Sequence, residues 1–154
     1  MIKVFIDGQS GTTGLRIRDR LLKRDDIELL EIPQNKRKDS AEISKYINDS
    51  DITFLCLPDD AAREAVKLLD SSNSHTKIID ASTAHRTEPG WAYGFAELSP
   101  EFRKNIAENR LIANPGCYAS GFISIVYPLI AHGVIAKDYP LTCFAVSGYS
   151  GGGK

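Results

Sequence analysis

The chain has 154 residues, 42% of them apolar and 25% charged, with a formal net charge of −1. That length suits one ordinary domain with a real hydrophobic core. The near-neutral balance gives no global electrostatic reason to bind nucleic acid or a membrane surface, and the apolar runs are too short and broken to span a bilayer.

Ile2 to Ile6 reads as a first strand, interrupted by Lys3, and it leads into a glycine turn rather than a signal peptide. Thr13 to Lys23 has helical spacing, with Leu15, Leu21 and Leu22 on the apolar side and Arg16, Arg18, Asp19 and Arg20 towards solvent. Ile27 to Ile32 is a second strand, ended by Pro33. Ser40-Ala-Glu-Ile43 resembles a capping box one residue short, ahead of a modest helix from Ala41 to Asn48. Ile52 to Leu57 is a buried strand closed by Pro58, Ala61 to Leu69 a helix, and Lys77 to Ala81 the next strand. Residues 82–96 read as loop with one short extended piece. Ser99 caps a helix that has Pro100 at its first position. Arg110 to Ala113 is a strand, Tyr118 to Ala131 a helix, and Leu141 to Val146 a last strand-like run before the glycine-rich 147–154. Strand and helix alternate throughout, the pattern of an α/β Rossmann-type, doubly wound parallel sheet with helices on both faces.

Chemistry is suggested first by Asp7-Gly8-Gln9-Ser10-Gly11-Thr12-Thr13-Gly14, a GxxGxxG turn between a strand and a helix. Such a turn brings phosphates against backbone N–H groups at a helix start, and Ser10, Thr12 and Thr13 add hydroxyls. Gly8, Ser10, Gly11, Thr12, Thr13 and Gly14 are therefore candidate cofactor-binding residues; the competing reading is an Asp-Gly hairpin turn. At the end of the second strand an acid reads the ribose 2′-OH of NAD, whereas a base accommodates the 2′-phosphate of NADP. Glu31 is followed there by Lys36, Arg37 and Lys38, which leans towards NADP through Lys36 and Arg37, unless this charge run is only a solvated face. Pro58, closing the third strand, lies beside the expected crevice.

Asn114-Pro115-Gly116-Cys117-Tyr118 sets a cysteine on a sharp turn before a helix. Gly116 supplies tight-turn angles, and the partial positive charge at the helix start favours thiolate over thiol. A helix end is not sufficient alone, so a nearby base or cation is needed; the alternative is a small buried hydrophobe. Asp80-Ala81-Ser82-Thr83-Ala84-His85-Arg86 leaves another strand at the same sheet edge. Arg86 suits a carboxylate or phosphate; His85 is either the base for Cys117 or, like Arg86, an exposed loop residue, and the plain structural role is the better expectation for it. His75 and His132 have no catalytic context. Cys56, Cys117 and Cys143 form no CxxC pair and no metal-ligand rhythm, pointing to reduced thiols in a cytoplasmic compartment and to no metal. Gly148 to Lys154 matches most of GxxxxGK, but the Ser/Thr and following helix of a phosphate loop are missing.

Together the GxxGxxG turn, Asp80–Arg86, Asn114–Tyr118 and Ser147–Lys154 resemble the N-acetyl-γ-glutamyl-phosphate reductases, most of all their shorter, type 2 branch in arginine biosynthesis. The resemblance runs across essentially the whole chain. It implies an NADP-binding Rossmann domain over 1–116, with 117–154 the incomplete start of an α+β substrate domain. It implies that Cys117 attacks N-acetylglutamyl phosphate, that NADPH reduces the resulting thioester, and that Arg86 contacts the substrate. The family's catalytic histidine has no match at His75, His85 or His132. An amino-terminal piece that binds NADP(H) but turns over poorly is therefore expected, with Phe122, Ile125, Leu141 and Phe144 exposed and a tendency to form homo-oligomers. Two other readings remain open at this point: an aspartate-semialdehyde dehydrogenase-like enzyme, and a non-catalytic cofactor-sensing domain.

Overall fold

In the computed structural model, which describes residues 1–148, short apolar runs become the strands of one parallel sheet. They are β1 (Ile2–Asp7), β2 (Ile27–Leu30), β3 (Ile52–Leu55), β4 (Lys77–Asp80), β5 (Ala92–Tyr93) and β6 (Leu111–Ala113). Side by side they run β2-β1-β3-β4-β6-β5. Between them lie α1 (Thr12–Leu21), α2 (Ser40–Asp49), α3 (Asp59–Val66) and α4 (Pro100–Glu108), with a 3₁₀ turn at Gln34–Lys36. Every pairing is parallel, so each connection crosses over the sheet. The right-handed crossover rule puts α1 on the face opposite α2 and α3. This is the Rossmann-type architecture expected from the alternation, and the strand order reverses at β1, so its switch point lies between β1 and β3.

The core forms where apolar strand residues meet the small or aliphatic faces of the helices. α2 sets Ile47 against Phe5 and Ile32, while Tyr46 stacks on Phe5 with ring centroids 5.4 Å apart. α3 turns Ala62 and Ala65 towards Leu55 and Ile78, and its small side chains permit close approach. Full burial of a side chain such as Phe5, Leu55 or Ile78 contributes about 1.5–3 kcal/mol. At the amino edge of β3 and β4, buried polar groups satisfy one another. Ser50 Oγ pairs with Thr53 Oγ1 at 2.8 Å, Thr76 Oγ1 donates to Ser50 O at 2.6 Å, and Asn73 Nδ2 donates to Thr76 Oγ1 at 2.9 Å.

Several boundaries differ from those read off the sequence, each for a local reason. β2 and β3 stop at Leu30 and Leu55, short of Ile32 and Leu57. The residues beyond stay apolar because they pack, Ile32 in the core, although the ladder has ended. α2 is capped by Asp39, whose side chain accepts from the N–H groups of Ala41 and Glu42, and not through a Ser40 box. In α1, Leu15 is exposed, as is the C-cap Leu22, and Gly14 is the buried residue, because the helix rests its glycine on the preceding turn. Ser99 does cap α4, accepting from Phe102 N–H, with Pro100 at the first turn.

The chain divides into two compact units, Met1–Pro115 and Gly116–Lys154. The second contains α5 (Cys117–Ala131), which ends at His132 and Gly133, the latter with φ +69°. Leu141 to Val146, expected as a strand, has no strand structure. A strand needs a neighbour to complete its ladder, and α5 supplies none. Ile125, Leu141 and Phe144 are exposed, the last at 91%, whereas Phe122 is half-buried. Tyr149–Lys154, including most of the GxxxxGK match, lie outside the described residues. Among the described residues no helix is long and apolar enough to cross a membrane.

Candidate functional site

β1 delivers Asp7 to the carboxyl edge of the sheet, and the chain turns at once through Gly8, with φ +81°. A Cβ there would lie 2.3 Å from Cys56 O, so the turn is pressed against the end of β3 and only glycine fits. Gly14 is constrained likewise: its Cβ would stand 2.5 Å from Gly8 O and 2.7 Å from Gln9 Cα. Gly11 differs, since an added Cβ meets nothing closer than 3.5 Å. It is the N-cap of α1, where no side chain caps the helix and no acid occupies the first turn. The first N–H groups of α1 therefore have no acceptor from the helix or its cap, an arrangement suited to a phosphate.

Beside this turn lies a cleft of about 460 Å³, lined by Gln9, Ser10, Leu15, Arg18, Glu31, Ile32, Gln34 and Arg37. Arg37 Nη1 donates to Ser10 Oγ at 2.5 Å, and its Nε is buried with no hydrogen-bond partner. An orphaned guanidinium donor next to open helix N–H groups fits an anionic ligand. Lys36, paired with Arg37 in the sequence reading, does not line the cleft. Its Nζ is held 2.6 Å from Glu42 Oε1, which raises the lysine pKa above its ordinary value. Sequence reasoning missed Arg18, which was placed towards solvent. Its guanidinium grips Glu31 Oε1 from Nη2 at 2.6 Å and from Nε at 3.3 Å. Only the helical register of α1 against the end of β2 hinted at this pair.

Further along the carboxyl edge, burial pushes the Asp7 carboxyl above its usual value, against a lowering hydrogen bond from Gly8 N–H. Burial, with the Asp7 and Asp80 carboxylates, pushes the Cys56 thiol up to about 11, so that sulfur stays protonated. Pro58 is the N-cap of α3. Next to it Asp59 accepts from the hydroxyl and N–H of Thr83, bonds that hold its carboxyl below the ordinary value.

The Asp80–Arg86 loop is organised by Asp80, fully buried at the end of β4. Its carboxylate accepts from Ser82 N–H at 2.9 Å and Ser82 Oγ at 2.7 Å, and contacts His85 Nδ1 at 2.6 Å. His85 is not an exposed loop residue: it is 5% exposed and stacked on Trp91, with centroids 4.0 Å apart. The carboxylate fixes that ring's orientation. Arg86 donates Nε to Asn114 O at 3.0 Å and Nη2 to Ala81 O at 3.3 Å. It ties the loop after β4 to the end of β6, which leaves less of its fork for a substrate anion.

In the second unit Cys117 is the first residue of α5 and is exposed. Gly116 precedes it with φ −80° and ψ 155°, extended angles that any residue adopts, so the expected glycine-only turn is not used. α5 again has no side-chain cap and no acid in its first turn. Ser120 Oγ donates back to Gly116 O at 2.9 Å, fastening the start of the helix. The sulfur thus stands in the favourable field of a helix amino end. Among the described residues no group of three or more His, Cys, Asp or Glu is placed to hold a metal ion.

Two family models match this chain: "Semialdehyde dehydrogenase, NAD binding domain" over residues 32–106, and "Semialdehyde dehydrogenase, dimerisation domain" over residues 117–154. The N-acetyl-gamma-glutamyl-phosphate reductase 2 of Nostoc sp. is 57% identical over 152 residues, which is 99% of this chain and 47% of the relative. The N-acetyl-gamma-glutamyl-phosphate reductase of Brucella ovis is also 57% identical, with 49% of its length covered. The chain thus spans about half the length of the curated relatives it matches. Among solved structures, the aspartate semialdehyde dehydrogenase from Francisella tularensis superposes with a TM-score of 0.65 at 18% identity, over 86% of this chain and 42% of that one. The enzyme from Candida albicans, solved with NADP, gives 0.62 at 14% identity, over 86% and 47%. At such identities the likeness establishes the fold. The first unit carries an NAD(P)-binding domain.

Proposed function

The chain belongs to the semialdehyde dehydrogenase family, and from that premise we propose that it serves NADPH-dependent reduction of N-acetylglutamyl 5-phosphate to N-acetylglutamate 5-semialdehyde. The reading is carried by the uncapped amino end of α1 above the glycine turn, with the orphaned Arg37 Nε beside it. It is further supported by the names of relatives 57% identical to the chain. The N–H groups after Gly11, with the Ser10, Thr12 and Thr13 hydroxyls, hold the pyrophosphate, and Arg37 takes the 2′-phosphate.

Cys117 acts as nucleophile, its developing negative charge stabilised by the start of α5. The S–C bond forms at the acyl carbon, the bond from that carbon to the bridging oxygen breaks, and phosphate leaves with that oxygen and the electron pair. NADPH, when bound, supplies the hydride that reduces the thioester. The Cys117 thiolate is then expelled as the C–S bond breaks and the aldehyde is released. A homo-oligomer and a cytoplasmic location accompany this reading. Because the chain spans about half of its relatives, we expect slow turnover from these 154 residues alone.

The test is phosphate release from N-acetylglutamyl phosphate by the purified chain, alongside titration with NADPH followed by cofactor fluorescence. The expected result is saturable NADPH binding and a stoichiometric release of phosphate that Cys117→Ser abolishes. Release that survives Cys117→Ser, or failure to bind either nicotinamide nucleotide, overturns the proposal. NADPH oxidation as fast as in the longer relatives overturns the expectation of slow turnover.

A further inference from the structure

The cleft beside the glycine turn contains a residue that dinucleotide binding by itself does not require. Glu31 occupies the position just beyond β2 where a carboxylate selects for a free ribose 2′-OH. A bare carboxylate there disfavours a 2′-phosphate by like-charge repulsion. Arg18, nearly two turns into α1, places two donors of its guanidinium on Glu31 Oε1, at 2.6 and 3.3 Å. Arg37 lines the same cleft, held to Ser10 Oγ, and the remaining lining side chains are uncharged. Two guanidinium groups face one carboxylate, which leaves one positive charge in excess. Without Arg18 the excess disappears and the carboxylate is unpaired.

We infer that Arg18 determines the preference for NADP(H) over NAD(H) by holding and neutralising Glu31; this rests on the dinucleotide reading above. Arg37 supplies the attraction for the phosphate, and Arg18 removes the repulsion that would cancel it. The basic run at 36–38 contributes through Arg37, since Lys36 is engaged by Glu42.

The experiment titrates the 154-residue chain and its variants with NADPH and with NADH at low ionic strength, where charge effects are least screened. Cofactor fluorescence gives the affinities, and nucleotide-dependent thermal shifts provide a second readout. Arg18→Ala is expected to weaken NADPH about tenfold or more, while NADH binding stays within roughly threefold of the parent and certifies an intact cleft. Adding Glu31→Gln to Arg18→Ala should restore most of the NADPH affinity, because the charge needing compensation is gone. An unchanged NADPH-to-NADH ratio in Arg18→Ala overturns the inference and leaves dinucleotide binding standing. A double variant as weak for NADPH as Arg18→Ala alone also overturns it, since Arg18 would then touch the phosphate directly. A parent that binds NADH more tightly than NADPH overturns it as well. A parent that binds neither nucleotide overturns the dinucleotide reading itself, and this inference with it.

Discussion

Gly11→Ala tests the proposed nucleotide site, because Gly11, unlike Gly8 and Gly14, has room for a side chain in the fold. At Gly11 the backbone has φ −77°, and an added Cβ lies 3.5 Å from Gly8 O, an ordinary contact. Exchanging the N-cap glycine for alanine costs up to about 1 kcal/mol. The smaller entropy of the unfolded chain returns ~0.4–1 kcal/mol, so the net change stays within ~1 kcal/mol. Gly8→Ala is different. Its φ of +81° costs a side chain about 1–2 kcal/mol. Its Cβ, 2.3 Å from Cys56 O and 2.8 Å from Cys56 C, must push the turn away from β3 for about 1–3 kcal/mol more. Together these lower the melting temperature by on the order of 10–20 °C in a unit of this size. Thermal denaturation followed by circular dichroism, with NADPH titration of each folded variant, reads both effects. Gly11→Ala should melt within a few degrees of the parent and bind NADPH at least roughly tenfold more weakly, its methyl standing where a phosphate reaches the N–H groups. A Gly11→Ala protein that melts and binds NADPH like the parent would refute phosphate seating on this turn.

With iodoacetamide at pH 8, Cys56, its thiol pushed up to about 11, should hold on the order of 100-fold less thiolate than an ordinary cysteine. Peptide mapping should find exposed Cys117 and Cys143 modified well before it; equal rates would contradict the burial assigned to Cys56. The folded-state pKa of Asp7 lies above the unfolded 3.8, so the native chain binds more protons from that pH upward and loses stability as pH rises through the window. Asp7→Asn, isosteric and uncharged, should therefore raise stability to urea at pH 7 and leave it unchanged below pH 3.8; a loss at pH 7 counts against a desolvated carboxylate. Asp80→Ala strands His85 Nδ1 and both Ser82 donors in buried positions and should cost about 3–5 kcal/mol. A loss under ~1 kcal/mol in urea titrations would show that the network is not structural. The exposed Ile125, Leu141 and Phe144 should drive self-association, and light scattering that finds a monodisperse monomer would count against it.

The α/β alternation was legible because each strand is a short apolar run ended by a glycine, proline or polar turn, a pattern that needs no knowledge of partners. The glycine turn was legible for the same reason, since its spacing is local. What the sequence hid is pairing across the fold. Arg18 reads as one of several basic residues on α1, and only the approach of β2 gives it Glu31. His85 reads as loop because its burial depends on Asp80, five residues earlier, and on Trp91, six later, closing around it. Leu141 to Val146 shows the converse limit: an apolar run is a necessary condition for a strand, and the neighbour completing its ladder is the sufficient one.

Capping chemistry offers a sharper signal than motif matching. α2 has Asp39 and α4 has Ser99 as side-chain caps, and α3, without one, carries Asp59 and Asp60 in its first turn. Each device occupies or neutralises the positive amino end of its helix. Among the described α-helices, α1 and α5 have neither a side-chain cap nor an acid there, and each begins after a glycine. Leaving such an end bare forgoes about 0.5–2 kcal/mol of capping stabilisation. These are the ends that carry the glycine turn and Cys117. Placing Asp at position 11, or at position 116, would cap its helix and raise its stability while opposing a phosphate or a thiolate at the same point. On the function proposed above, the two bare ends give up capping stability where a phosphate would sit in one unit and where the nucleophilic sulfur would react in the other.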